Sequence, residues 1–343
     1  MSENAGNSEG GKAARGLAGI ALLAAALSSG CAQLGEFARG VDHERAALLA
    51  EIRAFERELG FRKTDNFRAF SREREAYSFC GYASRLHLPY SYEDPAIRWL
   101  DSVTEEDCRK LGRDADVHFG AVEAQGERGT AVTTSMAAGT LDRFLYLVIH
   151  EDCHDQFDFP YGIEEALCNL IAYKAMVAFG ERKFGASAGE NRAIRGYADG
   201  QSRHTRVVIG YYEQLVALYA RHERVQILPE ALLRERAAIF SHAERALGWG
   251  PGDMNNVVIA NDMTYRRHYP FLESVYDALG RDLARAVAFF RYVDRIKPSR
   301  AALRKRHGIA TEERVEFIRA YEAAVVETVR KALAESGAAE VAG

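Results

Sequence analysis

The chain has 343 residues, 48% of them hydrophobic and 27% charged, with 45 Lys and Arg against 49 Asp and Glu for a net charge of −4. That length and composition support one large globular domain or two small ones, and the even mixing of charge leaves no basic stripe of the kind nucleic acid requires. Five cysteines, with no C-x-x-C pair among them, exclude both a dense disulfide scaffold and a cysteine zinc knuckle.

The N-terminus has the layout of an export signal. Lys12 and Arg15 precede the apolar run Gly16 to Leu27, and Ser28-Ser29-Gly30 lead into Cys31. The run is about half of the roughly 20 residues that a membrane-spanning helix needs, so it is expected to direct export rather than to span. Small residues before a cysteine resemble a bacterial lipobox, although Ser28 stands where that pattern prefers leucine. The expectation is a lipoprotein signal over 1–31, with acylation of Cys31 and a short tether over 32–41, against a plain cleaved signal or a buried apolar segment. The remainder, 42–343, is read as a single domain on the periplasmic side of the envelope.

Along that domain, Leu48, Ile52, Phe55 and Leu59 recur at helical spacing, with Asp42 placed to cap and Gly60 to stop. Glu75 to Ala83, Val117 to Ala121 and Thr130 to Ser135 read as strands, with a helix near Glu105 to Leu111. From 140 onward the pattern is helical: Thr140 to Phe157, Ile163 to about Phe179, Glu190 to Arg221 and Glu230 to Leu247. A last helix carries Val315, Ile318, Val325 and Val329, with Thr311 as its N-cap. The fold class expected is α+β and mainly helical, with a mixed part over 42–139 and a helical part over 140–343.

The chemistry is concentrated in His150-Glu151-Asp152-Cys153-His154, an H-E-x-x-H pentapeptide inside a helical stretch. Residues four apart share a helix face, so both imidazoles can reach one metal ion while Glu151 flanks it and can deprotonate a bound water. A catalytic zinc takes a third protein ligand. Pro160-Tyr161-Gly162 turns the chain, and the next helix offers Glu164 and Glu165 as neighbours between which periodicity cannot choose. Asn169, one turn beyond Glu165, would suit the second ring nitrogen of a ligating histidine, and this favours Glu165. Cys153 and Cys168 are expected as two separate buried thiols in preference to a bridge, and Asp152 and Asp155 as solvated or supporting groups. His204, His222, His242 and His268 lack partners at ligand spacing and read as surface or structural.

Together, the segment Glu51 to Gly60 with Phe67 to Tyr77, the H-E-x-x-H with Glu165-Ala166-Leu167-Cys168, and Asn255-Asn256 with Thr264-Tyr265 and Pro270 resemble the bacterial lipoproteins described as predicted aminopeptidases. The resemblance runs from about residue 42 to 295 and implies a zincin-like fold. It implies one Zn2+ held by His150, His154 and Glu165, Glu151 as general base, and Asn255, Asn256 and Tyr265 in the cleft, where Tyr265 could serve the oxyanion or be a packed helix tyrosine. Asp152 and Cys153 depart from the small or apolar residues usual at those positions. The activity implied is hydrolysis of peptides in the envelope. The competing expectation is a non-catalytic envelope lipoprotein, braced by a structural zinc or by none, that binds another envelope component.

Overall fold

A computed structural model describes residues 43–126 and 129–341. The signal, the tether, Cys31 and Asp42 lie outside the described residues.

The chain is mainly helical, with one small antiparallel sheet. Helix α1 (His43–Glu58) buries Leu48, Ile52 and Phe55 against the core. Gly60 follows at φ +89°, a left-handed conformation that costs glycine little, and Phe61 N–H closes on the Glu56 carbonyl at 2.9 Å. Strands β1 (Tyr77–Ala83), β2 (Arg98–Asp101) and β3 (Asp116–Val122) form a sheet in the order β2-β1-β3, with Phe79 opposite Gly120 and Cys80 opposite Leu100. Between β2 and β3 runs α2 (Glu105–Leu111), capped by Thr104 and bonded to β1 through a Cys80–Cys108 disulfide.

Two expectations for this part fail for identifiable reasons. Thr130 to Ser135 is not a strand: it makes one isolated bridge, Val132 to Phe70, and Thr133 then caps α3 (Thr134–Ala138). Its threonines act through their hydroxyls, which favour helix starts, rather than through their β-branches. Strand β2 was not expected because it lacks apolar alternation, being exposed at three of its four positions.

The helical body comprises α4 (Leu141–His154), α5 (Tyr161–Phe184), α6 (Gly189–Glu223), α7 (Pro229–Leu247), α8 (Asn256–Arg266), α9 (Tyr269–Ala278), α10 (Leu283–Ile296), α11 (Arg300–His307) and α12 (Val315–Val341). Helix α4 ends at His154, three residues before the expected Phe157, with Asp155 as its C-cap and Pro160 as the N-cap of the next helix. Thr311 does not cap α12, which begins four residues later; its hydroxyl accepts the Glu313 N–H instead, at 3.4 Å. Among the described residues no helix is long and apolar enough to cross a membrane.

Helices α4 and α5 form the centre of a core that extends from Leu48 to Ala332. Phe144, Leu145, Val148 and Ile149 of α4 are essentially inaccessible, as are Ile163, Leu167, Leu170 and Ile171 of α5. These are the same two helices that carry the pentapeptide and Glu165, so several ionisable groups are packed where ionisable groups are costly unless partnered.

Candidate metal centre

Helix geometry puts His150 and His154 on one face of α4, and the short 155–160 turn folds α5 back so that Glu165 meets them. His150 Nε2 is 3.1 Å from Glu165 Oε2 and 3.3 Å from His154 Nε2, while His154 Nε2 is 3.5 Å from Glu165 Oε2. Three ligand atoms around a tetrahedral metal with bonds of about 2.0–2.1 Å stand about 3.3–3.4 Å apart. The three contacts match the edges of such a tetrahedron. His150, His154 and Glu165 thus form a group that could hold a metal ion, all three at 8% exposure or less.

The outer nitrogen of His154 is held by the other glutamate. Nδ1 lies 2.8 Å from Glu164 Oε1, and Glu164 Oε2 accepts the Phe159 N–H at 2.8 Å. A proton on Nδ1 leaves the Nε2 lone pair facing inward, which is the tautomer a metal needs. Neighbouring carboxylates on α5 therefore divide the work, with Glu165 in the donor triad and Glu164 behind the histidine. Asn169 does not receive a ligand histidine: its Oδ1 accepts the Tyr146 hydroxyl at 2.8 Å and its Nδ2 donates to the Tyr265 carbonyl at 3.2 Å. It braces α4 and α8 against α5, meeting α4 at Tyr146, about one turn before His150.

Charge in the cluster is mutually sustained. Burial opposes a charge on His154, but Glu165 and then Glu164 outweigh it and raise its pKa well above the ordinary value. Burial would raise the Glu165 carboxyl, but His154 and His150 outweigh it and hold it below the usual carboxylate range. Glu151 behaves differently. Burial raises its pKa, only partly countered by His150 and His154, and the Gly126 N–H donates to its Oε2 at 2.5 Å. A Cβ on Gly126 would fall 2.6 Å from the Glu151 carbonyl, so only glycine allows the segment after β3 to approach α4 this closely.

The donors form part of the floor of a cleft of about 710 Å³, bounded by β3 and the segment after it, α4, α5 and α8. Tyr265 lines it, partly buried, and burial with the nearby Glu165 charge raises its pKa strongly; Tyr161, within hydrogen-bonding reach of both Glu165 and Tyr265, lines it too. Arg143, two turns before His150, donates to Glu123 Oε2 at 2.6 and 2.9 Å and so ties the chain beyond β3 to α4.

Asn255 and Asn256 do not line the cleft. Asn255 caps α8, accepting the Val257 and Val258 N–H groups at 2.9 and 3.1 Å and donating to the Val117 carbonyl at 2.8 Å. Asn256 is fully buried and donates to the His87 carbonyl and the Tyr219 hydroxyl. An asparagine before an apolar helical run is a cap signal, and it is the reading that fits here. Asp152 is not solvated: at 1% exposure it accepts from Thr64 Oγ1 at 2.6 Å and Asn66 Nδ2 at 3.0 Å. Cys153 and Cys168 are joined in a disulfide and are not two separate thiols, since the packing of α4 on α5 brings their Cα atoms to 5.5 Å. His268 pairs with Glu322 at 3.0 Å and takes no part in the donor group.

Sequence reasoning missed Tyr161, Gly126 and Asn66. Of these, only Tyr161 carried a local signal, as a residue within one turn of Glu165. No protein-family model, no curated protein and no solved structure matches this chain.

Proposed function

We propose that the chain is a zinc-dependent peptidase of zincin-like fold, an aminopeptidase of the bacterial cell envelope, with His150, His154 and Glu165 as ligands and Glu151 as general base. The observation that carries this reading is the tetrahedral spacing of three converging donors in the cleft, with a second carboxylate beside them that the ligand set does not need. Zinc bound there would polarise a scissile carbonyl and lower the pKa of a water at its open position.

The remaining chemistry falls to the chain itself. Gly126 N–H fixes Oε2 of Glu151, which leaves Oε1 to take a proton from the attacking water and later return it to the departing amine. The pKa of Glu151, raised by burial, favours both halves of that exchange near neutral pH. Tyr265 or Tyr161 would donate a hydrogen bond to the oxygen on which charge develops. As an edge strand lining the cleft, β3 offers an extended peptide a backbone to pair with. The glutamate beside the donors argues against the alternative of a structural zinc in a binding scaffold, which would gain nothing from an extra base. Two disulfides support an exported chain, and in this reading acylated Cys31 anchors it to the membrane.

The test is a peptide library with free and N-acetylated ends, offered to protein stripped by a chelator and then reloaded with zinc. Hydrolysis of free-amine peptides should return with about one equivalent of zinc. Cleavage of internal bonds would replace exo- with endopeptidase activity, and zinc binding without any hydrolysis would favour the scaffold.

A further inference from the structure

The three donors are not held together by the same means. His150 and His154 sit four residues apart on one helix, so their spacing follows from helix geometry alone. Glu165 belongs to α5, and its distance from the imidazoles depends on how α5 lies against α4. The same holds for Glu164 and its contact with His154. Two covalent connections control that relation: the 155–160 turn, and the Cys153–Cys168 disulfide. Cys153 directly precedes His154, and Cys168 lies three residues, about one turn, beyond Glu165. The bridge closes a loop with a sequence separation of 15 that contains His154, Glu164 and Glu165. Both cysteines are fully buried in the core behind the donors.

We propose that Cys153 and Cys168 are positioning residues of the metal centre, their bridge holding Glu165 and Glu164 at working distance from the imidazoles, so that metal affinity depends on the oxidation state of this pair. Closing the bridge converts two thiols into one S–S bond, and the two protons and two electrons pass to a disulfide-bearing oxidant that leaves as a dithiol; a dithiol reductant reverses the exchange. The site would then be completed only after oxidation, as in an exported chain. Cys80–Cys108 provides an internal comparison, because it joins β1 to α2 and its loop contains none of the three donors. The proposal rests on the ligand set and not on the peptidase reading.

Zinc affinity of the full chain, measured by competition with a chromogenic chelator, tests it. Cys153→Ser with Cys168→Ser should weaken zinc binding by about 10- to 100-fold, the range seen when groups that orient ligands are removed. The measurement is made at a temperature where circular dichroism shows the protein folded. Cys80→Ser with Cys108→Ser should lower the melting temperature but leave zinc affinity within about threefold. Equal affinity in the wild type and the first double variant overturns the proposal.

A second measurement on wild type does not depend on the variants folding. Coupling is reciprocal, so zinc should make Cys153–Cys168 harder to reduce in a glutathione buffer by the same factor, about 30 mV per tenfold, and leave Cys80–Cys108 unmoved. No zinc-dependent shift, or an equal shift of both bridges, contradicts it. A wild type that binds no zinc would remove the ligand set and this proposal together.

Discussion

The two faces of α4 partner their buried polar atoms differently. On the face toward α1 and the following loop, Thr64 and Asn66 serve Asp152, Asn66 also serves the Glu151 carbonyl, the Gln156 amide exchanges hydrogen bonds with the Arg62 backbone at 2.7 and 3.2 Å, and Glu56, its pKa raised by burial and by Asp152, meets Asp152 as an acid. On the face toward α5, two imidazole nitrogens and a carboxylate oxygen converge within 3.5 Å of one another, and only protons carried by the imidazoles can serve the contacts between the three. Leaving one buried polar atom unpaired costs about 1–3 kcal/mol, and three atoms paired only through imidazole protons are a set that a cation could hold in place of those protons. Within one helix, a structural polar network on one face stands against a candidate cation site on the other.

The sharpest way to break that contrast is to change one carboxylate on each face. Glu165→Ala should abolish stoichiometric zinc binding while the protein stays folded. Asp152→Ala, which leaves the Thr64 hydroxyl without its acceptor and removes one of the Asn66 contacts, should keep zinc and lose about 1–3 kcal/mol of stability in chemical denaturation. If Asp152→Ala also loses zinc, the two faces are not independent. Glu164→Ala should fall between them, weakening zinc binding about 10- to 100-fold through loss of the contact to His154 Nδ1. A titration that shows no change would leave Glu164 a mere brace for the 155–160 turn.

The charge state of the donor face gives a subtler test. His154 is raised and Glu165 lowered, so in metal-free protein their pairing stabilises the fold between those two pKa values. That contribution is lost as pH falls through the lowered Glu165 pKa, and lost again as pH rises through the raised His154 pKa. Zinc must displace the same proton, so its affinity should rise about tenfold per pH unit below the His154 pKa and level off above it. Affinity that does not vary with pH would mean that His154 is not a ligand. The smallest effect is expected at Asn255→Ala, which should cost about 1 kcal/mol by removing a helix cap while zinc content and turnover stay the same.

What could be read in the sequence was what is local. His150, Glu151 and His154 lie within one turn, and Glu165 follows across a connection too short to lead elsewhere. The division of labour between Glu164 and Glu165 was not legible, because it depends on the rotation of α5 about its own axis. Asn169 was expected behind a histidine on the same periodic argument and faces Tyr146 and Tyr265 instead. Gly126 reaches Glu151 from 25 residues away, and Asn66 reaches Asp152 from 86, separations at which one sequence carries no signal. The long helices were legible from apolar periodicity, whereas β2 had no alternation to read and the threonines near 130 looked like a strand while serving as caps.

Under the proposed function, Glu151 acts on water and not on the metal. Glu151→Gln keeps the size of the side chain and removes the base. Metal analysis and peptide turnover, measured on the same preparations of wild type and variant, should give about one zinc in each. Turnover in the variant should be lower by about 10²- to 10⁴-fold. Equal turnover, or loss of zinc from the variant, would contradict the account.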